Sequence, residues 1–319
     1  HAARTDREFK MSAYVYGANH NFFNTEWVGQ NDGLGIISPS FGFPVLPCDV
    51  SLDPQNDPQC IAQKEWQRDI AVSTLSAFFH WSVQSENSYR EFLSGQQRFS
   101  ALSPESIFWT FQDPIRIVID DFEENPPVIN SEPDGENRLG DAISVQDQNC
   151  TQTETNPCPS RKNLRRYKQC KPLSGCATPL GAQYNLLRHA SEGVLLDWTA
   201  PIVYKTVFPS QNLVADTLHK FLTLRAAKVV DQVPLADDDD LNFRIRLCSG
   251  AVCSEVNSNR YGTLRRPYTG AYTQLTGIRI PLEHFTLNGS GVNLAAVTSV
   301  EIHMDGKGIL ALDDIEFGQ

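Results

Sequence analysis

The sequence predicts an α/β segment followed by an all-β sandwich, because its hydrophobic period changes once along the chain. Residues 11–16 form an apolar run typical of a buried strand, and residues 65–83 place apolar residues at helical spacing. From Ile115 apolar and polar residues alternate, and short strand-like runs follow without a second helical pattern. We therefore divide the chain of 319 residues into an α/β part, residues 1–114, and a β-sandwich, residues 115–319.

The first strand ends in a loop that carries a histidine. Gly17 interrupts the apolar run, and His20 follows between Asn19 and Asn21. A neutral imidazole both accepts and donates protons near neutral pH, so a histidine at a strand end can act as a general base. The loop therefore holds a candidate catalytic residue.

Residues 17–27, Gly-Ala-Asn-His-Asn-Phe-Phe-Asn-Thr-Glu-Trp, resemble the catalytic-histidine segment of secreted bacterial α/β-hydrolases of the lipase, esterase and chlorophyllase-like kind. The resemblance implies that His20 is the catalytic histidine and that no cofactor takes part in catalysis. It also implies that Asn19, Asn21, Phe22 and Phe23 bind the substrate. The first two would shape the loop, and the two aromatic rings would line the acyl or alcohol pocket.

The rest of such a site is expected on another segment. In the α/β-hydrolase order, the serine and the Asp or Glu precede the histidine. No G-x-S-x-G motif occurs in these 319 residues, and the chain starts with His1 rather than Met. We therefore expect a C-terminal portion of an α/β-hydrolase, whose partner is an N-terminal segment of the same precursor carrying the serine and the acid.

Two further elements complete the α/β part. Residues 28–64 are rich in Gly, Pro, Asn and Asp, and this pattern indicates either a lid or a disulfide-pinned surface insertion. The helix at residues 65–83 has a wide apolar face, so we expect its aromatic residues to lie in the core: Trp66, Phe78, Phe79 and Trp81.

Alternating patterns define the strands of the sandwich. The predicted strands are residues 115–123, 194–198, 202–208, 220–226, 241–248, 275–281, 297–304 and 309–317. The segment at about 125–181 is polar and contains four cysteines, which predicts a Cys-rich, disulfide-tied insertion. We expect its basic cluster, residues 161–168, to be a solvated loop.

The two ends of the sandwich have similar sequences. Ile-Asp-Asp-Phe-Glu at 119–123 and Leu-Asp-Asp-Ile-Glu-Phe at 312–317 resemble the first and last strands of galactose-binding-like jelly rolls found in carbohydrate-binding modules. The resemblance implies that these strands lie side by side. Asp120, Asp121, Asp313 and Asp314 would then be candidate ligands of a structural calcium, since calcium prefers carboxylate oxygens. The alternative is two exposed acidic strand ends.

The eight cysteines form four pairs of close neighbours along the chain. We predict the disulfides Cys48–Cys60, Cys150–Cys158, Cys170–Cys176 and Cys248–Cys253. Disulfides form in oxidising compartments, so the pattern favours a secreted, extracellular or periplasmic protein. The formal net charge of −11 argues against nucleic acid as a partner. The sequence contains no apolar run long enough for a membrane span.

These features support competing hypotheses of function. The first is a fragment of a secreted serine hydrolase of carboxylic esters, with an appended carbohydrate-binding-like sandwich. The alternative is a non-catalytic secreted or surface protein for glycan binding or assembly, in which exposed aromatic residues would stack on sugars. Its candidate residues are Trp198, Tyr204, Tyr261, Tyr268 and Tyr272. A third hypothesis takes His1 as a copper ligand, as in copper monooxygenases.

Overall fold

The computed structural model describes residues 9–15, 58–95, 107–122, 143–147, 164–168, 192–213, 219–229, 241–262, 264, 275–287 and 291–319. These residues form thirteen strands, two α-helices and short 3-10 turns. The described residues from 11 to 111 belong to one compact unit, and the others belong to a second.

The smaller unit contains two strands and two helices. Strand β1 (Lys10–Val15) pairs with β2 (Ile107–Gln112) of the same chain, and helices α1 (Pro58–Ser82) and α2 (Ser88–Leu93) lie between them in sequence. The predicted strand at 11–16 and the predicted helix at 65–83 are thus present, although α1 begins earlier. The core of the smaller unit consists of Ile70, Ala77, Phe92, Leu93, Ile107 and Trp109.

Helix α1 buries only one of its two apolar faces. Trp66, Phe78 and Trp81 pack against the core as expected. Phe79 does not, because it lies on the opposite side of the helix and is 56% exposed. None of the helices among the described residues is both long and apolar enough to cross a membrane.

The larger unit contains eleven strands. In chain order they are β3 (Arg116–Asp120), β4 (Ile143–Asp147), β5 (Leu164–Lys168), β6 (Glu192–Trp198), β7 (Ile202–Gln211), β8 (Phe221–Lys228), β9 (Arg244–Ser249), β10 (Val252–Asn257), β11 (Thr276–Pro281), β12 (Val297–Met304) and β13 (Gly308–Gly318).

Two antiparallel sheets form a β-sandwich from these strands. The five-stranded sheet has the order β10-β9-β12-β7-β4. The six-stranded sheet has the order β11-β8-β13-β6-β5, and β3 also pairs with β13. The first and last strands of the sandwich therefore lie side by side, with Asp120 opposite Ile315.

The core lies between the two sheets because alternate residues of each strand point inward. In β7, Ile202, Tyr204 and Phe208 are buried in it. Phe208 meets Phe317 of the six-stranded sheet with ring centroids 5.9 Å apart. Burying such a side chain contributes about 1.5–3 kcal/mol, so this layer dominates the stability of the unit.

The mostly β architecture confirms the sandwich and gives no support to the α/β-hydrolase part. All strand pairs with a described register are antiparallel. Strands β4 and β5 lie inside the segment predicted as an insertion and pair with β7 and β6. The loop predicted for the basic cluster was wrong at 164–168, because pairing with β6 makes it an edge strand.

Candidate ligand-binding face

Charged side chains collect on the outer face of the five-stranded sheet. The alternation that buries Ile245, Val300 and Ile302 turns their neighbours outward on β9 and β12. We define the polar face as Lys205, Arg244, Arg246, Glu255, Glu301, His303 and Asp305, the last of which follows β12.

Glu301 is the centre of the polar face. Its carboxylate lies 2.9 Å from Nζ of Lys205, 3.3 Å from Nη1 of Arg246 and 2.9 Å from Nε2 of His303. The hydrogen bond from His303 lowers the pKa of Glu301 to about 2, aided by Lys205 and Arg246 and opposed by partial burial. Glu301 is therefore ionised at neutral pH and holds three side chains from three neighbouring strands.

Arg244 forms a second centre nearer the end of β9. Its Nη1 lies 3.3 Å from Glu255, and its Nη2 lies 3.0 Å from Asp305. Burial lowers the pKa of Arg244, but the two carboxylates outweigh burial and leave the pKa above its ordinary value. Cation and carboxylate thus alternate across this part of the face as well.

The register of the sheet arranges four of these residues in one row. Glu255 of β10 is opposite Arg246 of β9, which is opposite Glu301 of β12, which is opposite Lys205 of β7. Neighbouring strands lie about 4.8 Å apart, so the row is about 14 Å long. The side chains of Lys205 and Arg246 are 40% and 34% exposed. A ligand can therefore reach both cations.

A disulfide closes one side of the polar face. Cys248 and Cys253 lie opposite each other on β9 and β10 and are joined by an S–S bond of 2.06 Å. Together with Glu301 they are the group of three potential metal ligands found among the described residues. Because the two sulfurs are bonded to each other, they provide no thiolate for a metal. The other three predicted disulfides involve cysteines outside the described residues.

The residues predicted for ester hydrolysis cannot be placed. His20, Asn19, Asn21, Phe22 and Phe23 lie outside the described residues, as does His1. Their roles stay predictions.

The aromatic candidates for sugar stacking do not form a platform among the described residues. Trp198 and Tyr204 are buried in the core. Tyr261 is half-buried, and its hydroxyl lies 2.8 Å from Nδ1 of His284. Tyr268 and Tyr272 lie outside the described residues. Aromatic residues do not mark the polar face in the sequence. The alternation Arg244-Ile-Arg246 and Glu301-Ile-His303 was the signal for it.

Three of the four predicted calcium ligands contact protein donors: Asp120, Asp313 and Asp314. Asp120 is buried, accepts from the Tyr204 hydroxyl at 3.0 Å and accepts from the Phe122 amide at 3.1 Å. Asp313 and Asp314 each lie 2.6 Å from Nη2 of Arg225. Asp121 is half-buried at the end of β3. Arg225 thus supplies positive charge where a calcium was predicted, and the calcium itself stays a prediction.

Residues in and next to the six-stranded sheet form further ion pairs. Arg116 contacts Glu316 at 3.1 Å, and Arg279 contacts Asp113 at 3.2 Å. Burial raises the pKa of Glu316, and Asp314 raises it further, while Arg116 opposes both. The side chains of Arg279 and Asp113 are 4% and 1% exposed, whereas Lys205 and Arg246 are 40% and 34% exposed around the buried Glu301, so we place the candidate binding site on the opposite sheet.

Comparisons with known proteins give no family for this chain. No protein-family model matches it, and no curated protein matches it either. Among solved structures, the family 11 carbohydrate-binding module of a Clostridium thermocellum cellulosomal cellulase is 12% identical, with a TM-score of 0.32, covering 64% of this chain and 95% of that chain. A family 30 module from the same organism is 12% identical, with a TM-score of 0.31 and coverages of 63% and 96%.

An exo-beta-agarase is similar to a comparable share of the chain. It is 9% identical with a TM-score of 0.37, and the similarity covers 64% of this chain and 25% of the agarase. TM-scores below 0.5 carry no argument about function. We therefore base the function on the geometry of the polar face.

Proposed function

We propose that the larger unit is a glycan-binding module of a secreted or cell-surface protein and that its polar face binds sugar hydroxyl groups. The row Glu255, Arg246, Glu301 and Lys205 carries this proposal. A sugar hydroxyl both donates and accepts hydrogen bonds, so neighbouring hydroxyls match alternating carboxylates and cations. The disulfide Cys248–Cys253 supports the oxidising compartment.

The charge balance of the face favours a neutral sugar. Three cations, Lys205, Arg244 and Arg246, face three carboxylates, Glu255, Glu301 and Asp305. The face therefore has no net charge when His303 is neutral, within a chain whose net charge is −11. A polyanion gains nothing from this field, whereas a neutral glycan meets ordered donors and acceptors.

A glycan array followed by affinity electrophoresis tests the proposal. The panel includes a β-1,3-1,4-mixed-linked tetrasaccharide and β-1,4-galactotriose, which are bound in similar solved modules, together with β-1,3-1,4-mixed-linked glucan and acidic polysaccharides. Arg246→Gln should weaken binding about tenfold to a hundredfold, as expected for lost hydrogen bonds to a charged group. Arg260→Gln, an exposed arginine outside the face, is the matched control and should bind normally.

Two results contradict the proposal. One is a wild-type protein that binds no glycan of the array. The other is an equal effect of Arg246→Gln and Arg260→Gln.

The resemblance of residues 17–27 favours a second function, ester hydrolysis in trans with an upstream segment. An imidazole without a nucleophile has no alcohol to activate. We therefore propose that this chain alone neither hydrolyses short-chain esters nor reacts with a fluorophosphonate, and that adding the upstream segment restores both, dependent on His20. Labelling of the isolated chain at one of its own serines contradicts this assignment.

A further inference from the structure

Nε2 of His303 lies between a hydrogen-bond acceptor and a hydrogen-bond donor of the polar face. Nε2 of His303 lies 2.9 Å from Oε2 of Glu301 and 3.4 Å from Nη1 of Arg246. The carboxylate needs a donor, while the guanidinium needs an acceptor. The shorter distance places a proton on Nε2, donated to Glu301, so Arg246 has a donor rather than an acceptor beside it.

Arg246 and His303 also share the same acceptor. Nη1 of Arg246 lies 3.3 Å from Oε2 of Glu301, the oxygen that His303 contacts. Lys205 occupies the other oxygen, Oε1. Oε2 has two lone pairs and accepts both, so a stronger hydrogen bond from His303 acts on Arg246 only by holding the imidazole close to the guanidinium.

The described charged groups near His303 lie on β9, β10 and β12 or directly after β12. Arg244 of β9 is directly opposite it, and Glu255 of β10 and Asp305 hold that arginine. On the other side lies Val203 of β7, which carries no charge. The groups that respond directly to a proton on His303 are thus Glu301 and Arg246.

Protonation changes this arrangement in two ways. The hydrogen bond to Glu301 becomes charge-assisted and stronger. A positive charge is also created 3.4 Å from Nη1 of Arg246, which repels the guanidinium. Both changes move Arg246 away from its place in the row.

We propose that His303 is a proton switch of the polar face: its protonation displaces Arg246 from Glu301 and weakens ligand binding. The displacement is a property of the ligand-free fold, whereas the effect on binding rests on the glycan-binding function proposed above.

Nuclear magnetic resonance of the ligand-free protein tests the displacement. The Nε–Hε resonance of Arg246, assigned by its loss in Arg246→Lys, is followed together with the ring protons of His303 from about pH 8 to about pH 5. We expect both to move with one midpoint. An Arg246 resonance that does not follow His303 overturns the proposal.

Binding of soluble β-1,3-1,4-mixed-linked glucan tests the consequence. Affinity should fall about fivefold to tenfold over the same range, a usual size for coupling between two sites. His303→Gln keeps an N–H donor but does not titrate, so its pH profile should be flat. His284→Gln, which removes a histidine that contacts Tyr261 instead, should keep the wild-type profile.

The resonance measurement and the binding measurement together distinguish failure of the proton switch from failure of the proposed glycan binding. A pH-dependent affinity that persists in His303→Gln overturns the switch and leaves glycan binding intact. Absence of glucan binding at every pH, with the two resonances moving together, supports the switch and overturns the proposed ligand.

Discussion

Tyr204→Phe should destabilise the sandwich by about 2 kcal/mol, because it removes a buried hydrogen bond to a carboxylate. The Tyr204 hydroxyl donates to Oδ2 of Asp120 at 3.0 Å, and both residues are 0% exposed. Hydrogen bonds to charged groups contribute about 1.5–3 kcal/mol, and phenylalanine keeps the packing of the ring. For a unit of this size, the melting temperature should fall by about 4–8 °C in differential scanning calorimetry.

A double-mutant cycle with Asp120→Asn isolates this interaction. The amide keeps a hydrogen bond with the hydroxyl but removes the charge, so the cost of Tyr204→Phe should drop to about 1 kcal/mol in that background. A cost below about 0.5 kcal/mol in the wild-type background would refute the reasoning. The same scans with EDTA or calcium chloride check the predicted calcium, whose removal would lower the wild-type melting temperature.

Three further changes test the packing, the buried charge and the disulfide. Gly308→Ala places a Cβ 2.8 Å from Cζ2 of Trp198, so calorimetry should show a loss of about 1–3 kcal/mol. Burial raises the pKa of Glu316 in the folded state. As pH rises, the Glu316 carboxyl therefore loses its proton in the unfolded state before it does so in the folded state. The free energy of unfolding should then decline as pH rises above about 4.3, the ordinary pKa of a glutamate. Glu316→Gln should flatten that decline in urea titrations at several pH values. Replacing both Cys248 and Cys253 by serine should cost about 2 kcal/mol, measured by the urea midpoint, because their loop is short.

Most strands of the sandwich could be predicted because they are short runs rich in β-branched and other apolar residues. The run predicted at 297–304 is β12 to the residue, although a β-bulge near Ser299 interrupts its alternation, so that Val297 and Val300 both lie in the core. Strand β5 was not predicted, because Leu164–Lys168 contains mostly charged and polar residues, whereas β4 alternates apolar and polar residues but lies in the segment predicted as an insertion. The extended form of β5 follows from pairing with β6 and is invisible to a local pattern.

The candidate site was less predictable than the fold, for a physical reason. A motif search finds residues that are close in sequence, such as those around His20. Lys205, Arg246 and Glu301 are far apart in sequence and become neighbours only through the register of β7, β9 and β12. Predicting such a site requires knowing which strands pair, and a one-residue shift would turn each side chain into the core.

Exposure separates the polar face from the buried ion pairs of the opposite sheet. Arg225 is 9% exposed in its side chain and holds Asp313, which is fully buried. Breaking a buried pair leaves an uncompensated charge, so Arg225→Gln should cost about 3–5 kcal/mol in urea unfolding. Arg246 is 34% exposed, and its 10% exposed partner Glu301 keeps Lys205 and His303 when Arg246 is lost, so Arg246→Gln should cost only about 1 kcal/mol. An equal loss of stability in both variants would mean that the Arg246–Glu301 pair maintains the sheet, and it would remove the reason for assigning the row to a ligand.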